Sequence, residues 1–251
     1  MRKARGLVRA SPWGAAVVLM LFAWFAQPAR AGGLGGETYP VLKAAPVGQP
    51  PVIDGKVEEA EWPVAEVTGM LDLGSGMLAR EQPVFFVAYD ARHFYAAGRL
   101  PLAGGAKPRA AVGERDGPVW EDDAVEVFLD VGHSHRDYFQ IVVNAGGVAY
   151  DGRGREGAWN SHVRCAAQAL GGEWDVELAI AWSDLGLAGP PVGETMGFNL
   201  CWDRVTPAEG PFTWAPVRAN FHEPGHFGHL TLDAGDRAPR VTSLGQAWTG
   251  R

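Results

Sequence analysis

Cysteine is scarce, with two in 251 residues, and that scarcity excludes a disulfide-built scaffold. No further soft ligands stand near Cys165 and Cys201, so a cysteine-based zinc site is excluded as well. The pair reads either as one disulfide or as two separate thiols. Long apolar runs are lacking too. Gly14–Ala26 is uninterrupted over 13 residues, short of the roughly 20 that span a bilayer, and no later segment approaches that length. Basic charge is thin. Of 22 Lys and Arg, five stand in residues 1–31, where there is no acid; the other 17 face 29 Asp and Glu, a formal charge of −12 for the rest of the chain. A surface so acidic excludes nucleic acid and an anionic membrane as partners, since both need a basic patch. Neutral or cationic ligands, and cations such as calcium, remain. Helical periodicity is weak, with one short candidate at Val57–Val64 that Pro63 truncates.

What is present begins with an address. The basic start Met1–Arg9, the apolar run, the Gln27-Pro28 break and Ala29-Arg30-Ala31 together have the form of a cleavable signal peptide over residues 1–31. No Cys follows the break, so the lipoprotein form is absent. The expectation is export to a bacterial periplasm or the medium. The chain then divides into a flexible lead-in at 32–50, rich in Gly, Pro and Ala, one domain at 51–234, and a C-terminal tail at 235–251. A chain of that length is long enough to bury roughly 70% of its unfolded surface.

Between the lead-in and the tail, short β-branched and aromatic runs alternate with Gly, Asp, Pro and Asn turns. Strands are expected at 84–89, 94–100, 124–130, 138–144, 161–169, 174–180, 196–205, 212–215 and 229–232. In the run at 124–130, Val125, Val127 and Leu129 alternate with Glu126, Phe128 and Asp130; at 174–180, Trp174, Val176, Leu178 and Ile180 alternate with Asp175, Glu177 and Ala179. Many short strands with closely spaced turns predict an all-β, antiparallel β-sandwich.

Several segments carry a resemblance. Pro51 to Trp62 (PVIDGKVEEAEW), Tyr89–Tyr95 and Trp120–Asp130 (WEDDAVEVFLD) come first. Phe139–Asn144 with Gly147 and Asp151, Trp174–Glu177 with Ile180, Gly197–Asn199 with Arg204, Trp214 and Pro224–Gly228 follow in order. Together they resemble the family 9 carbohydrate-binding modules and the wider DOMON-like group, over about residues 50–232. The resemblance implies a jelly-roll or immunoglobulin-like sandwich that binds sugars, often at a chain end, with structural calcium in some members. Such modules often ride on glycoside hydrolases; here the implied hydrolase is a separate partner.

The residues support the same chemistry. A pyranose offers flat C–H faces for an aromatic ring and hydroxyls for planar polar groups, which must converge because an unpaired buried hydroxyl is costly. Eight of the ten Trp lie beyond residue 31. Trp62, Trp174, Trp182 and Trp202 carry strand or helix patterning and read as core. Trp120, in DGPVWEDD, and Trp214, between prolines in PFTWAP, are loop-flanked. The expectation is that Trp120 and Trp214 form two walls of a slot with Glu126 and Asn144 at its floor, holding a neutral saccharide without catalysis. For each Trp the competing reading is packing under a loop. Glu126 reads equally as a solvated strand residue or the partner of Arg204, and Asn144 as a turn residue. One departure stands out: sugar-binding members of the resembled family carry an Arg two residues before this Asn, where this chain has Val142. Arg204, Arg153 and Arg155 are the cations left to replace it; otherwise the ligand differs or the pocket has lost its use.

Candidate calcium ligands are Asp90, Asp122, Asp123 and Asp151, with Glu121 and Asp130 nearby, although no EF-hand loop is present and acids capping turns are the stronger reading. His222-Glu223-Pro224-Gly225-His226 has the H-E-x-x-H letters of a zinc protease, but Pro-Gly breaks the helix which that chemistry requires. His133 and His135 read as solvated residues of a hairpin tip. Haem-binding relatives keep a second class in view, a periplasmic haem or electron-transfer sandwich using a His or Met such as Met70, Met77 or Met196 as axial ligand. An interaction domain with a decayed site is a third.

Overall fold

Strand-length runs with a two-residue period bury one face only by pairing into sheets, and this chain does so throughout. A computed structural model describes residues 38–62 and 66–234; the signal-peptide and C-terminal-tail expectations lie outside the described residues. In chain order the strands are β1 (Val41–Pro46), β2 (Glu66–Val67), β3 (Leu71–Asp72), β4 (Val84–Tyr89), β5 (His93–Pro101), β6 (Ala124–Asp130), β7 (Phe139–Asn144), β8 (Ala149–Arg153), β9 (Arg164–Leu170), β10 (Glu173–Ala181), β11 (Thr195–Asp203), β12 (Phe212–Thr213) and β13 (Gly228–Leu232).

One sheet runs β8-β7-β6-β11-β13-β1 and the other β1-β4-β5-β10-β9. Every pairing is antiparallel except those of β1, which pairs in parallel with β13 through Val41–Ala44 and with β4 through Ala45–Pro46. The inward residues of both sheets share one core: Val125, Val127 and Leu129 of β6, Phe198 and Leu200 of β11, Phe94 of β5, and Trp174, Val176 and Leu178 of β10. Phe94 and Phe198 meet edge to face across it, ring centres 6.1 Å apart. The result is an antiparallel β-sandwich.

Three departures from expectation have local causes. Residues 41–46, assigned to a loose lead-in, form β1 with Leu42 and Ala44 buried; parallel pairing to strands distant in sequence leaves no hairpin signal. The helix candidate at 57–64 is a single turn over 58–62, where Glu61 and Trp62 N–H reach Glu58 O. β8 was not expected because Gly and Asp interrupt its apolar pattern.

The segment 53–62 is instead held flat on the outer face of the second sheet by two buried acids of β10. Glu177 accepts from Asp54 N–H at 3.0 Å, Gly55 N–H at 2.9 Å and the Trp62 indole at 3.0 Å. Asp175 accepts from Val57 N–H at 2.8 Å and Arg99 at 3.2 Å. Gly55 is fixed by geometry: its φ is +89°, and an added Cβ would stand 2.9 Å from the Ala167 backbone.

Candidate functional site: a cleft on the outer face of the first sheet

Strand alternation places Glu126 and Phe128 of β6, Gln140, Val142 and Asn144 of β7, Tyr150 of β8 and Asn199, Cys201 and Asp203 of β11 on the outer face of the first sheet. Two small apolar clusters cover parts of that face. Val119 packs on Ala124 and Val142 at one end; Phe221, Phe227 and Val217 pack on Phe128, Tyr138 and Cys201 at the other. Between them opens a cleft of about 460 Å³. Trp120, 42% exposed, stands at its mouth and is braced edge-on by Tyr150 with ring centres 5.0 Å apart. Phe221, His222 and Asn220 line it with Leu73 and Arg155, and Glu126, Gln140 and Asp203 supply the polar groups of its floor.

The floor is electrostatically unusual. Gln140 donates to Glu126 Oε2 at 2.7 Å, and the Glu126 carboxyl meets that of Asp203. Two carboxyls hydrogen-bond only with a proton between them. Burial pushes Asp203 well above the ordinary carboxylate range, the Glu126 charge adds to that rise, and burial raises Glu126 too. Asp203 Oδ2 is buried without a donor. On the opposite side, His222 Nδ1 lies 2.8 Å from the Tyr138 hydroxyl, and burial, with the Arg155 charge, lowers its pKa to about 4, so the imidazole is neutral at pH 7. Arg155 donates to Asn220 Oδ1 at 3.0 Å.

The structure brings Trp120 and Glu126 together and separates them from the other expected site residues. Trp214 is 2% exposed and belongs to the core between the sheets, its ring 5.7 Å from that of Phe198. It packs so closely over Gly228 that a Cβ there would lie 2.5 Å from it. The slot with two Trp walls therefore gives way to a cleft with Trp120 and Tyr150 at one end and Phe221 and His222 at the other. Asn144 is spent on the turn and on Asp122. It donates to Asp122 Oδ2 and Val112 O, both at 2.9 Å, and accepts Gly146 and Val148 N–H. Arg204 is buried over the Trp202 ring and pairs with Glu81 at 2.5 Å and Glu209 at 2.9 Å, so it does not reach Glu126. Arg153 is taken by Asp137. Val142, directly across from Glu126, is fully buried.

The calcium candidates each accept hydrogen bonds from the protein's own groups. Asp90 accepts Arg92 and His93 N–H; Asp122 accepts Val112 N–H and Arg109. Asp123 accepts Arg109, Val205 and Thr206 N–H, and Asp151 accepts Ser161 and Arg115. No group of three or more His, Cys, Asp or Glu placed to hold a metal ion occurs among the described residues. Cys165 and Cys201 are separate free thiols. Pro224–His226 forms a 3-10 turn with Glu223 accepting from Arg218 and Ala219 N–H, which accounts for the H-E-x-x-H letters. Met70 and Met196 are core residues, and Met77 is exposed. His133 and His135 are not simply solvated: both have left-handed backbone, and His133 Nε2 lies 3.1 Å from His229 Nδ1.

Gln140, Tyr150 and Asp203 were missed although strand alternation places them on the same face as Glu126. The cleft residues from 220 to 222 carry no periodic signal.

This geometry agrees with what the chain resembles elsewhere. Residues 53–234 match the model of the carbohydrate family 9 binding domain-like family. The fold is similar to a family 9 carbohydrate-binding module from Caldicellulosiruptor kristjanssonii in complex with cellotriose, at 19% identity, covering 82% of this chain and 97% of that one with a TM-score of 0.57. It is similar to the glucose complex of a family 9 module from the same organism at 18%, with coverage of 82% and 100% and a TM-score of 0.56. The chain is 26% identical over 192 residues to endo-1,4-beta-xylanase A of Thermotoga maritima, covering 72% of this chain but only 17% of the xylanase. A match running through nearly the whole described sandwich establishes that the chain belongs to the family 9 carbohydrate-binding modules, which bind carbohydrate and are non-catalytic.

Proposed function

We propose that the cleft captures a saccharide by stacking a pyranose face on Trp120 while Glu126, Gln140 and Asp203 take its hydroxyls. The observation that carries this reading is an exposed indole at the mouth of a 460 Å³ cleft whose floor is lined by converging hydrogen-bonding groups. Complexes of similarly folded modules with cellotriose and glucose support a saccharide as the ligand class. The signal-like residues 1–31 support an exported protein, and the match to part of a xylanase supports a role in carbohydrate catabolism with a glycoside hydrolase as partner.

The test is a titration of the purified protein with glucose, cellotriose and xylo-oligosaccharides, read by Trp fluorescence and calorimetry. Binding with a Trp emission change is expected, weakened about tenfold or more in Trp120→Ala by loss of the stacking surface. Absence of binding by every sugar, or full affinity in Trp120→Ala, overturns the reading.

A further inference from the structure

We propose that the cleft selects a saccharide carrying a free ammonium group, an amino sugar with an unsubstituted amine, and that the Glu126–Asp203 pair receives that charge. The inference rests on the cleft being a saccharide site and adds which saccharides it favours.

Charge balance is the argument. Both carboxyls are sequestered, and among the described residues neither forms an ion pair with Lys or Arg. The cross-strand neighbours of Glu126 are Val142 and Cys201, so the sheet brings no cation to it from either side. Of the cleft's other polar groups, Arg155 is turned to Asn220 and His222 to Tyr138. Among the described residues the one side-chain N–H given to the pair is that of Gln140, and Asp203 Oδ2 is buried with none. Buried carboxylates in folded proteins are normally compensated by a cation or by several N–H donors. Among the described residues the protein supplies neither, and the two acids line the floor of the cleft.

An ammonium suits that carboxyl pair better than a hydroxyl does. It carries three N–H donors and a full positive charge, and a hydrogen bond to an ionised partner is about twice as strong as a neutral one. Its charge replaces the proton held between the carboxyls, which passes to solvent as the amine docks. The Trp120 face at the mouth suits a cationic ring substituent as well, through its quadrupole. An N-acetylated sugar carries no such charge and gains none of this.

The experiment compares three ligand sets on the full protein: oligomers of glucosamine with free amines, their N-acetylated counterparts, and cello-oligosaccharides. It is run at neutral pH and at enough salt to screen the acidic surface. Free-amine oligomers should bind about tenfold or more tightly than either other set. Calorimetry in buffers of differing ionisation enthalpy should show proton release only with the amine. Asp203→Asn and Glu126→Gln should each abolish the preference, so that free-amine and neutral oligomers bind either variant with the same, lower affinity; Asp203→Asn keeps the side-chain shape and is the variant read first. Equal or weaker binding of the amine overturns the inference, and so does a preference that survives both substitutions, which would trace it to bulk surface charge. If cello-oligosaccharides bind through Trp120 without any amine preference, only this inference falls. If no sugar of any set binds, the saccharide reading falls with it.

Discussion

The outer faces of the two sheets bury acids under opposite terms. On β10, Glu177 takes three N–H donors and Asp175 takes a backbone N–H and a guanidinium, all from the protein itself. On β6 and β11, Glu126 takes one amide N–H, and Asp203 Oδ2 takes none. Burial raises the Glu177 carboxyl, but the Trp62, Gly55 and Asp54 donors pull against that rise. Burial also raises Asp203, and there the neighbouring carboxylate raises it further. The first pair of acids is therefore structural, an anchor for the segment 53–62. The second is left for something outside the protein to complete.

The largest effect that could break this contrast is expected on the structural side. Glu177→Ala orphans two buried donors, Gly55 N–H and the Trp62 indole, and at 1–3 kcal/mol per orphaned group it should cost about 2 kcal/mol or more in urea unfolding. A loss below about 1 kcal/mol would mean the anchor is not one. Trp120→Ala should do the reverse, changing unfolding free energy by no more than about 0.5 kcal/mol while saccharide binding falls. A large drop in its thermal midpoint would recast Trp120 as a packing residue.

The smallest effect concerns pH. Because the folded-state pKa of Asp203 is raised, the native protein holds a proton that the unfolded chain releases near its ordinary value of about 3.9. Stability is then fully present below that value and declines as pH rises toward the folded-state value. Asn does not titrate, so Asp203→Asn should match the wild type near pH 4 and exceed it at pH 7, by roughly 2–4 °C in Tm for each kcal/mol gained. A variant less stable than wild type at pH 7 would show the pair to be stabilising and fully compensated.

Much of the sandwich was legible in the sequence because alternation is a local property. The β4 and β6 boundaries coincide with expectation, and the inward faces of β6 and β10 were correct to the residue. Non-local partners were not legible: β1 is built from parallel pairing to β4 and β13, and no turn announces it. The site divides the same way. Trp120 and Glu126 were readable from a turn-flanked indole and an outward strand position. Trp214 looked similarly loop-flanked, yet its direction is set by β11–β12 pairing and by the space over Gly228. Asp203 and Gln140 were readable in principle from alternation; their convergence on Glu126 depends on strand register, which a sequence does not print.

The double allegiance of β1 has a practical consequence for anyone trimming this protein. Its first four residues close the edge of β13 and its last two close that of β4. A fragment begun at residue 53, where the family match starts, would uncover two strand edges at once. Exposed edges of that kind recruit other copies through main-chain hydrogen bonds. Such a shortened preparation should self-associate even with an intact cleft, and its failure to bind sugar would report on the cut and not on the ligand site.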